Sequence, residues 1–228
     1  SQLRMVLDKM TAYEPEVIKN NVGWNRRAHF VADNGNGASG FTTEFYDSCN
    51  YIKNNIFPGA GWSKTTGYLN EAGSNINAVK DGINQAVETT GVYVLHYEGH
   101  GSPDKWMGEV AFANNNVVAL TNNVWPIVGV FTCSNGLYYR PDLYDSMVEK
   151  FLRQDQEGAI ACIAPSGLAI PLVSFVLAGE YYNALLNDQH VDSISGGTFS
   201  YTTVNTLRIG DAFQNGLTAL WMKFGNAV

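Results

Sequence analysis

Two short apolar segments, each ending in a glycine-containing loop, constrain the fold of this chain more than any other feature. The first runs from Val92 to Tyr97 and opens into residues 98–101, and the second runs from Ile127 to Thr132 and opens into residues 133–136. Apolar runs of this length are typical of buried strands in parallel sheets. If both belong to one parallel sheet, their carboxyl ends lie at the same edge, where open α/β sheets bind ligands.

Strand and helix patterns alternate along most of the chain. Compact apolar segments at 28–32, 62–69 and 158–164 predict further strands. Apolar residues recur at helical spacing from Phe41 to Pro58 and from Ile76 to Gly91, and further helices are predicted near 143–152, 172–186 and 207–224. The alternation predicts an α/β fold whose mostly parallel sheet is covered by helices on both faces.

Residues outside this alternation are assigned to loops and connectors. Residues 102–116 have no clean period, and Pro103 and Gly108 predict an exposed segment over the sheet edge, followed by a helical turn at 117–120. Residues 1–23 are predicted to form an N-terminal connector or surface helix, and residues 24–228 one domain. A chain of 228 residues suits one or at most two domains.

The charge balance and hydropathy exclude several classes of protein. A net charge of −7 and a pI near 5.0 argue against nucleic acid as a partner. No segment approaches the ~20 apolar residues that span a bilayer, which predicts a soluble protein without a membrane span. The sequence opens at Ser1 with no signal-peptide pattern, as expected of either a mature protein or an excised fragment.

Only three cysteines occur, so at least one is unpaired within the chain. Cys162 lies inside an apolar run and Cys49 on a predicted helix, and we interpret both as small buried hydrophobic residues. Cys133 differs because it directly follows a predicted strand. His100 occupies the equivalent place after another strand, and the 33 positions between them suit one crossover of a parallel sheet.

A histidine beside a cysteine is the minimal apparatus of a cysteine nucleophile. The imidazole takes the thiol proton, and the thiolate attacks. We therefore predict that His100 and Cys133 form a catalytic dyad. A third group that orients His100 is expected, but the sequence leaves it open among Asp33, Glu44 and Asp47.

Rival chemistries fit the sequence less well. His96 and His100 have the spacing of two metal ligands on a helix, but they lie on a strand and a glycine loop, so His96 is interpreted as a core histidine. Ser134 and Ser166 lack the Gly-x-Ser-x-Gly turn of a serine nucleophile. The loop at residues 33–37 is interpreted as a plain turn, with a structural calcium ion as the alternative. His29 and His190 are interpreted as structural or exposed.

The segments YEGHG at residues 97–101 and FTCSNG at residues 131–136 resemble the histidine and cysteine motifs of gingipain-type peptidases, family C25. That family belongs to the caspase-like clan of cysteine peptidases. The resemblance covers roughly residues 24–220, with further matching segments at 24–27, 31–37, 41–44, 158–161 and 209–213. It implies the three-layer caspase-hemoglobinase-like form of the α/β fold.

The resemblance also implies a function. The chain would be a cysteine endopeptidase that forms an acyl-enzyme on Cys133, with the N–H groups of Gly101 and Cys133 as the oxyanion hole. The loop containing Ser166, Gly167 and Leu168 would bind substrate. No organic cofactor is implied, and the acidic residue that marks an arginine-selective pocket has no match here.

Partners and location follow from the same resemblance. The expected partners are protein or peptide substrates and other domains of a larger precursor, and the expected location is secreted or at a bacterial cell surface. Two alternatives to the peptidase are a catalytically silent surface binding domain of the same fold and a cell-surface transpeptidase. The intact His100 and Cys133 argue against the silent domain, whereas nothing in the sequence separates hydrolysis from transfer.

Overall fold

A computed structural model of the chain describes residues 2–18, 23–35, 44–57, 59–73, 75–139, 145–187, 189–194, 197–202 and 208–225. The chain divides into two compact units. One comprises residues 1–49 and 62–169, and the other comprises residues 50–61 and 170–228. All the predicted site residues, from Asp33 to Leu168, belong to the first unit.

The centre of the first unit is a five-stranded parallel sheet with the order β2-β1-β3-β7-β8. Its strands are, in chain order, β1 (Arg27–Ala32), β2 (Ser63–Tyr68), β3 (Val94–Glu98), β7 (Ile127–Phe131) and β8 (Ala161–Ile163). The predicted pairing of the two central apolar segments is confirmed, because β3 and β7 are parallel neighbours.

Helices cover both faces of this sheet, as the sequence predicts. One face packs against α3 (Ile76–Asn84), which a π-helical segment extends to Thr90, and against α5 (Met147–Arg153). Leu95 and Tyr97 point to this face, so His96 and Glu98 point to the other by strand alternation. The second face is covered by α2 (Glu44–Tyr51), whose Cys49 lies beside His96 and Glu98. The α/β class is therefore confirmed.

The segment after His100 differs from its prediction. Residues 101–118 form a small antiparallel sheet of β4 (Gly101–Ser102), β5 (Lys105–Trp106) and β6 (Phe112–Ala113), followed by α4 (Asn114–Val118). Trp106 and Phe112 are completely buried, and the Trp106 ring stacks on Tyr97 with centroids 4.6 Å apart. The prediction of an exposed segment is wrong here, because strands of two residues are too short to show a hydrophobic period.

The N-terminal helix α1 (Gln2–Ile18) inverts the usual pattern of burial. Leu3, Leu7 and Met10 are exposed, whereas Lys9 is only 1% exposed. The Lys9 ammonium donates hydrogen bonds to the carbonyl oxygens of Leu152, Glu157 and Ala159 at 2.9, 3.0 and 3.0 Å. Lys9 therefore satisfies three main-chain acceptors around the end of α5.

Replacing Lys9 by alanine is expected to lower the free energy of unfolding by about 2–3 kcal/mol, because buried carbonyl groups lose their donor. Burial lowers the pKa of Lys9 below its ordinary value of 10.5, so the native state releases this proton at lower pH than the unfolded chain does. The contribution of Lys9 to stability therefore rises as the pH approaches 10.5. Urea denaturation at several alkaline pH values measures both effects.

Arg4→Ala is the matched control on the same helix. Its side chain is 81% exposed and forms an exposed ion pair with Asp8 at 3.7 Å, so a change of no more than about 0.5 kcal/mol is expected. Equal effects of the two substitutions would show that the Lys9 hydrogen bonds contribute nothing measurable.

The second unit contains α6 (Pro171–Leu186), β9 (Gln189–Ile194), β10 (Gly197–Thr202) and α7 (Ile209–Phe224). β9 and β10 form an antiparallel hairpin, and Lys223 of α7 makes an ion pair with the buried Glu180 of α6 at 2.8 Å. The predicted helices are present, although Leu143 and Leu207 lie outside the described residues. In the described part of the chain, no helix is both long and apolar enough to cross a membrane.

Candidate active site

The register of β3 and β7 places His100 and Cys133 at matching positions. Glu98 pairs with Phe131, the last residue of β7, and the two predicted catalytic residues each follow by two positions. Neighbouring strands lie about 4.7–4.9 Å apart. The loops that carry the histidine and the cysteine therefore leave the sheet side by side at its carboxyl edge.

Main-chain hydrogen bonds hold the His100 loop in place. The His100 N–H donates to Asp33 Oδ2 at 3.1 Å, and the His100 carbonyl accepts from Met107 N–H at 2.9 Å and from the Tyr97 hydroxyl. The imidazole itself is exposed, and it makes an edge-to-face contact with Phe45, with ring centroids 5.2 Å apart. The main chain is thus fixed while the imidazole faces solvent.

Asp33 is a positioning group that acts on the main chain of His100. Its Oδ1 accepts from Asn34 N–H at 2.7 Å, so both carboxylate oxygens bond to peptide groups. Burial raises the pKa of Asp33, and the two N–H donors oppose that rise. Of the three candidates for a group that orients the imidazole, Asp33 interacts electrostatically with His100, whereas none of Asp33, Glu44 and Asp47 forms a hydrogen bond with the ring among the described residues. The third group therefore stays open.

Glycines allow the two loops to approach closely. A β-carbon on Gly101 would lie 2.5 Å from Thr132 Oγ1, and one on Gly99 would lie 2.4 Å from Asp33 Cβ and from the Tyr97 hydroxyl. Real β-carbons do not tolerate such distances, so both positions require glycine. The contact of Gly101 with Thr132 shows directly that the His100 and Cys133 loops are packed together.

The Cys133 loop is held by the segment that follows β8. Ser134 N–H donates to Gly167 O at 2.8 Å, and Gly136 N–H donates to Pro165 O at 2.9 Å. The Cys133 sulfur accepts from Ala169 N–H at 3.5 Å. Ser134 has φ 55°, an uncommon value for a residue other than glycine, and such strained residues cluster at functional sites.

Asn135 joins the Cys133 loop to the small sheet after His100. Its side chain is fully buried, its Oδ1 accepts from Trp106 Nε1 at 3.1 Å, and its Nδ2 donates to Ser102 O at 2.8 Å. Sequence reasoning did not single out this role, although Asn135 lies inside the quoted cysteine motif. Its partners lie in β4 and β5, two strands that the sequence did not predict.

The other histidines and the predicted substrate-binding residues differ in burial. His96 is completely buried, as predicted, and His29 is buried with its Nδ1 hydrogen-bonded to Thr65 Oγ1 at 2.8 Å. Ser166 and Leu168 are exposed on the segment beside the Cys133 loop, with Gly167 between them. The side chain of His190 and residues 36–37 of the suggested calcium loop lie outside the described residues.

Comparison with known structures defines the class of fold. Over 99% of its length, the chain superimposes on 48% of the crystal structure of the Arg-specific cysteine proteinase gingipain R (RgpB), with a TM-score of 0.70 and 21% identity. It matches the complex of Porphyromonas gingivalis RgpB pro- and mature domains, with a TM-score of 0.68, 22% identity, and coverage of 99% of this chain and 49% of that one. A further structure, described only as a protease, matches with a TM-score of 0.63 and 15% identity, over 82% of this chain and 42% of that one.

These likenesses show that the chain has the gingipain-type, caspase-like α/β fold, and that it spans about half the length of the matched structures. The model of peptidase family C25 matches residues 1–227. The chain therefore belongs to peptidase family C25. No match was found among curated protein sequences.

Proposed function

We propose that this protein is a cysteine endopeptidase whose catalytic dyad is His100 and Cys133. The observation that carries the proposal is their placement two residues beyond the paired positions Glu98 and Phe131 on adjacent parallel strands. Membership of family C25 supports the same reaction class. The exposed imidazole and the half-buried thiol are both accessible to a peptide lying along the sheet edge.

In the proposed reaction, His100 takes the thiol proton and the Cys133 sulfur attacks the scissile carbonyl carbon. The tetrahedral intermediate collapses to a thioester as His100 returns the proton to the leaving amine. A water molecule, deprotonated by His100, then hydrolyses the thioester and regenerates the thiol. The chemistry of this cycle requires no organic cofactor.

Gly101 is well placed to donate to the oxyanion. Met107 N–H donates to His100 O beside the Gly101–Trp106 pair, an arrangement that flanks a non-hydrogen-bonded pair. Such pairs alternate along antiparallel strands, so Gly101, opposite Trp106, directs its N–H away from β5. Together with Cys133 N–H it would form the oxyanion hole, where one donor contributes about 2.7–4 kcal/mol to lowering the barrier.

Alkylation kinetics test the dyad without knowledge of the substrate. Cys133 is expected to react with iodoacetamide at about pH 6–7 faster than Cys49 or Cys162, and His100→Ala is expected to slow it about tenfold or more. Mass spectrometry of tryptic peptides follows each cysteine separately. Cys49 is buried and burial raises the pKa of the Cys162 thiol, so Cys133 is favoured even without a dyad. The effect of His100→Ala is therefore decisive, and an unchanged rate in that variant would contradict the proposal.

The segment of Ser166, Gly167 and Leu168 is proposed to bind the substrate residue before the scissile bond. Its main chain is bonded to the Cys133 loop through Gly167 O, and the Leu168 side chain is 91% exposed. Arginine preference is a property of the matched gingipain and is not assumed here. A panel of peptide electrophiles that differ at this residue would identify the preferred side chain by covalent trapping on Cys133.

Leu168→Trp is expected to change the ratio of kcat/KM between peptides with small and large residues at that position by about tenfold. Iodoacetamide reactivity of Cys133 should stay unchanged, because the substituted side chain is exposed. Leu3→Trp, at an exposed leucine of α1, is the control and should leave the ratio unaltered. Parallel loss of turnover and alkylation in Leu168→Trp would instead indicate misfolding.

We further infer secretion or display at a bacterial cell surface, and a precursor with additional domains. One matched structure is a complex of separate pro- and mature domains, and the chain spans about half of the matched chain. A structural calcium ion near residues 33–37 is a further proposal. The ion would compete with two main-chain N–H groups, which already donate to both carboxylate oxygens of Asp33.

A cell-surface transpeptidase is the alternative activity. Amine acceptors added to the assay would reveal it by the formation of a transfer product.

A further inference from the structure

A second cluster of chemically reactive side chains lies beneath α2, on the sheet face opposite the main apolar core. Cys49 of α2 and His96 and Glu98 of β3 are 0%, 0% and 3% exposed. The Cys49 sulfur, a His96 ring nitrogen and a Glu98 carboxylate oxygen all lie within 4.8 Å of one another. His96 Nε2 is 3.2 Å from Glu98 Oε1. A thiol, an imidazole and a carboxylate therefore converge at one buried point.

The surroundings of this cluster are apolar. The rings of Phe30 and Phe131 flank His96, with centroids 5.5 and 5.3 Å away. Ionisable groups in such an environment are unfavourable unless they are paired or coordinate a metal. In the structure His96 is paired with Glu98, and the Cys49 thiol donates to Val31 O at 3.5 Å, so a metal ion would replace both contacts by coordination.

We propose that Cys49, His96 and Glu98 bind a zinc ion at a structural site separate from the catalytic dyad. Sulfur, imidazole nitrogen and carboxylate oxygen are the ligands that Zn²⁺ takes in proteins. Tetrahedral zinc at its usual bond lengths separates its ligand atoms by about 3.3–3.6 Å. His96 Nε2 and Glu98 Oε1, 3.2 Å apart, lie within about 0.1 Å of this range, and the 4.8 Å limit on the sulfur leaves only a small approach for Cys49.

Tyr68 lies on the same face of the sheet as His96 and Glu98. It ends β2 opposite Ala32 of β1, and Ala32 is also opposite Glu98 of β3, so all three residues share one row and one face of the sheet. Tyr68 is 1% exposed and interacts electrostatically with both Cys49 and Glu98. The site is thus closed to solvent, as structural zinc sites are, and the ion enters during folding.

The site is connected to the catalytic loop through the main chain. Glu98 O accepts from Asp33 N–H at 3.0 Å, and the Asp33 carboxylate accepts from His100 N–H at 3.1 Å. Zinc bound to Glu98 would therefore fix the end of β3 from which the His100 loop departs. Its role is to position this loop, and no atom of the reacting peptide contacts it.

The test uses the variant Cys133→Ala/Cys162→Ala, which leaves Cys49 as the only cysteine of the chain. Removing Cys133 also prevents the dyad from binding metal itself. The protein is refolded under reducing conditions with Zn²⁺ or Co²⁺ and freed of excess metal, and bound metal is measured by mass spectrometry. We expect one equivalent of metal and, with Co²⁺, a near-ultraviolet charge-transfer band from thiolate to cobalt.

X-ray absorption of the zinc form should show one sulfur at about 2.3 Å and nitrogen or oxygen ligands at about 2.0–2.2 Å. Adding Cys49→Ala should remove the cobalt band and weaken metal binding at least tenfold. Adding Glu98→Gln instead should weaken metal binding to the same extent. If Cys49→Ala fails to fold, the sole-cysteine variant still decides the matter, because its sulfur scatterer can be assigned to Cys49. Absence of bound metal, or a metal without sulfur in its first shell, would overturn the proposal while leaving the peptidase proposal untouched.

Discussion

Replacing Cys133 by alanine is expected to lower peptide turnover by about 10⁴–10⁶-fold, because loss of a nucleophile removes the covalent pathway altogether. Stability should change by less than about 1 kcal/mol, since the residue is half-buried and its sulfur makes only long contacts with the N and O of Ala169, at 3.5 and 3.8 Å. Hydrolysis of a mixed peptide library measures the first effect, and thermal unfolding measures the second.

Cys162→Ala is the matched control for this substitution. Burial raises the pKa of the Cys162 thiol, so it stays protonated and takes no part in nucleophilic chemistry. The control should retain turnover when it is purified in the same way. Turnover that survives in Cys133→Ala would show that another residue is the nucleophile and would contradict the proposed dyad.

Gly101→Ala is expected to lower kcat/KM by about 100-fold, because displacement of a catalytic loop by about 1 Å has effects of this size. The added methyl group would lie 2.5 Å from Thr132 Oγ1 and 2.7 Å from Thr132 Cγ2, and overpacking of this kind costs about 1–3 kcal/mol of stability. Steady-state kinetics with the best peptide of the panel, together with urea denaturation, would separate the two effects.

Two companion variants make this test specific. A β-carbon on Gly108, in the same small sheet region, meets nothing within 4 Å, so Gly108→Ala should behave as the unmodified protein. Thr132→Ala removes both clashing atoms, and Thr132 Oγ1 has no hydrogen-bond partner among the described residues. Gly101→Ala combined with Thr132→Ala should therefore recover most of the activity. Equal activity of Gly101→Ala and Gly108→Ala would show that the two loops do not depend on this contact.

Much of the architecture was predictable because burial leaves a periodic pattern in the sequence. Strand β7 is apolar throughout and strand β3 is buried throughout, since both faces of a parallel sheet are covered, and the apolar residues of the amphipathic helices α2 and α3 repeat every three to four residues. The positions of His100 and Cys133 after these strands predicted a shared edge, and the register of Glu98 with Phe131 agrees with that prediction.

Other features had no such pattern. The strands β4, β5 and β6 contain two residues each, too few to show a hydrophobic period, so the sequence did not predict the burial of Trp106 and Phe112. Asn135 lies in a recognisable motif, yet its partners Trp106 and Ser102 are about 30 positions away in the chain. Periodicity reports how one segment meets solvent, and it carries no information about which polar atom of another segment that residue will meet.

Cys49 shows most clearly which features the sequence predicts and which depend on the tertiary structure. Its helical spacing with Phe45 and Ile52 correctly predicted that it faces the interior, because a helix buries one stripe of its surface. That the interior at this point contains His96 and Glu98 depends on β3 being placed beside β1 and under α2. The sequence alone determined the strands of the central sheet, the helices around it and the residues that follow β3 and β7. Only the tertiary structure decided which buried side chains share one space, since that choice is made by packing between segments far apart in the chain.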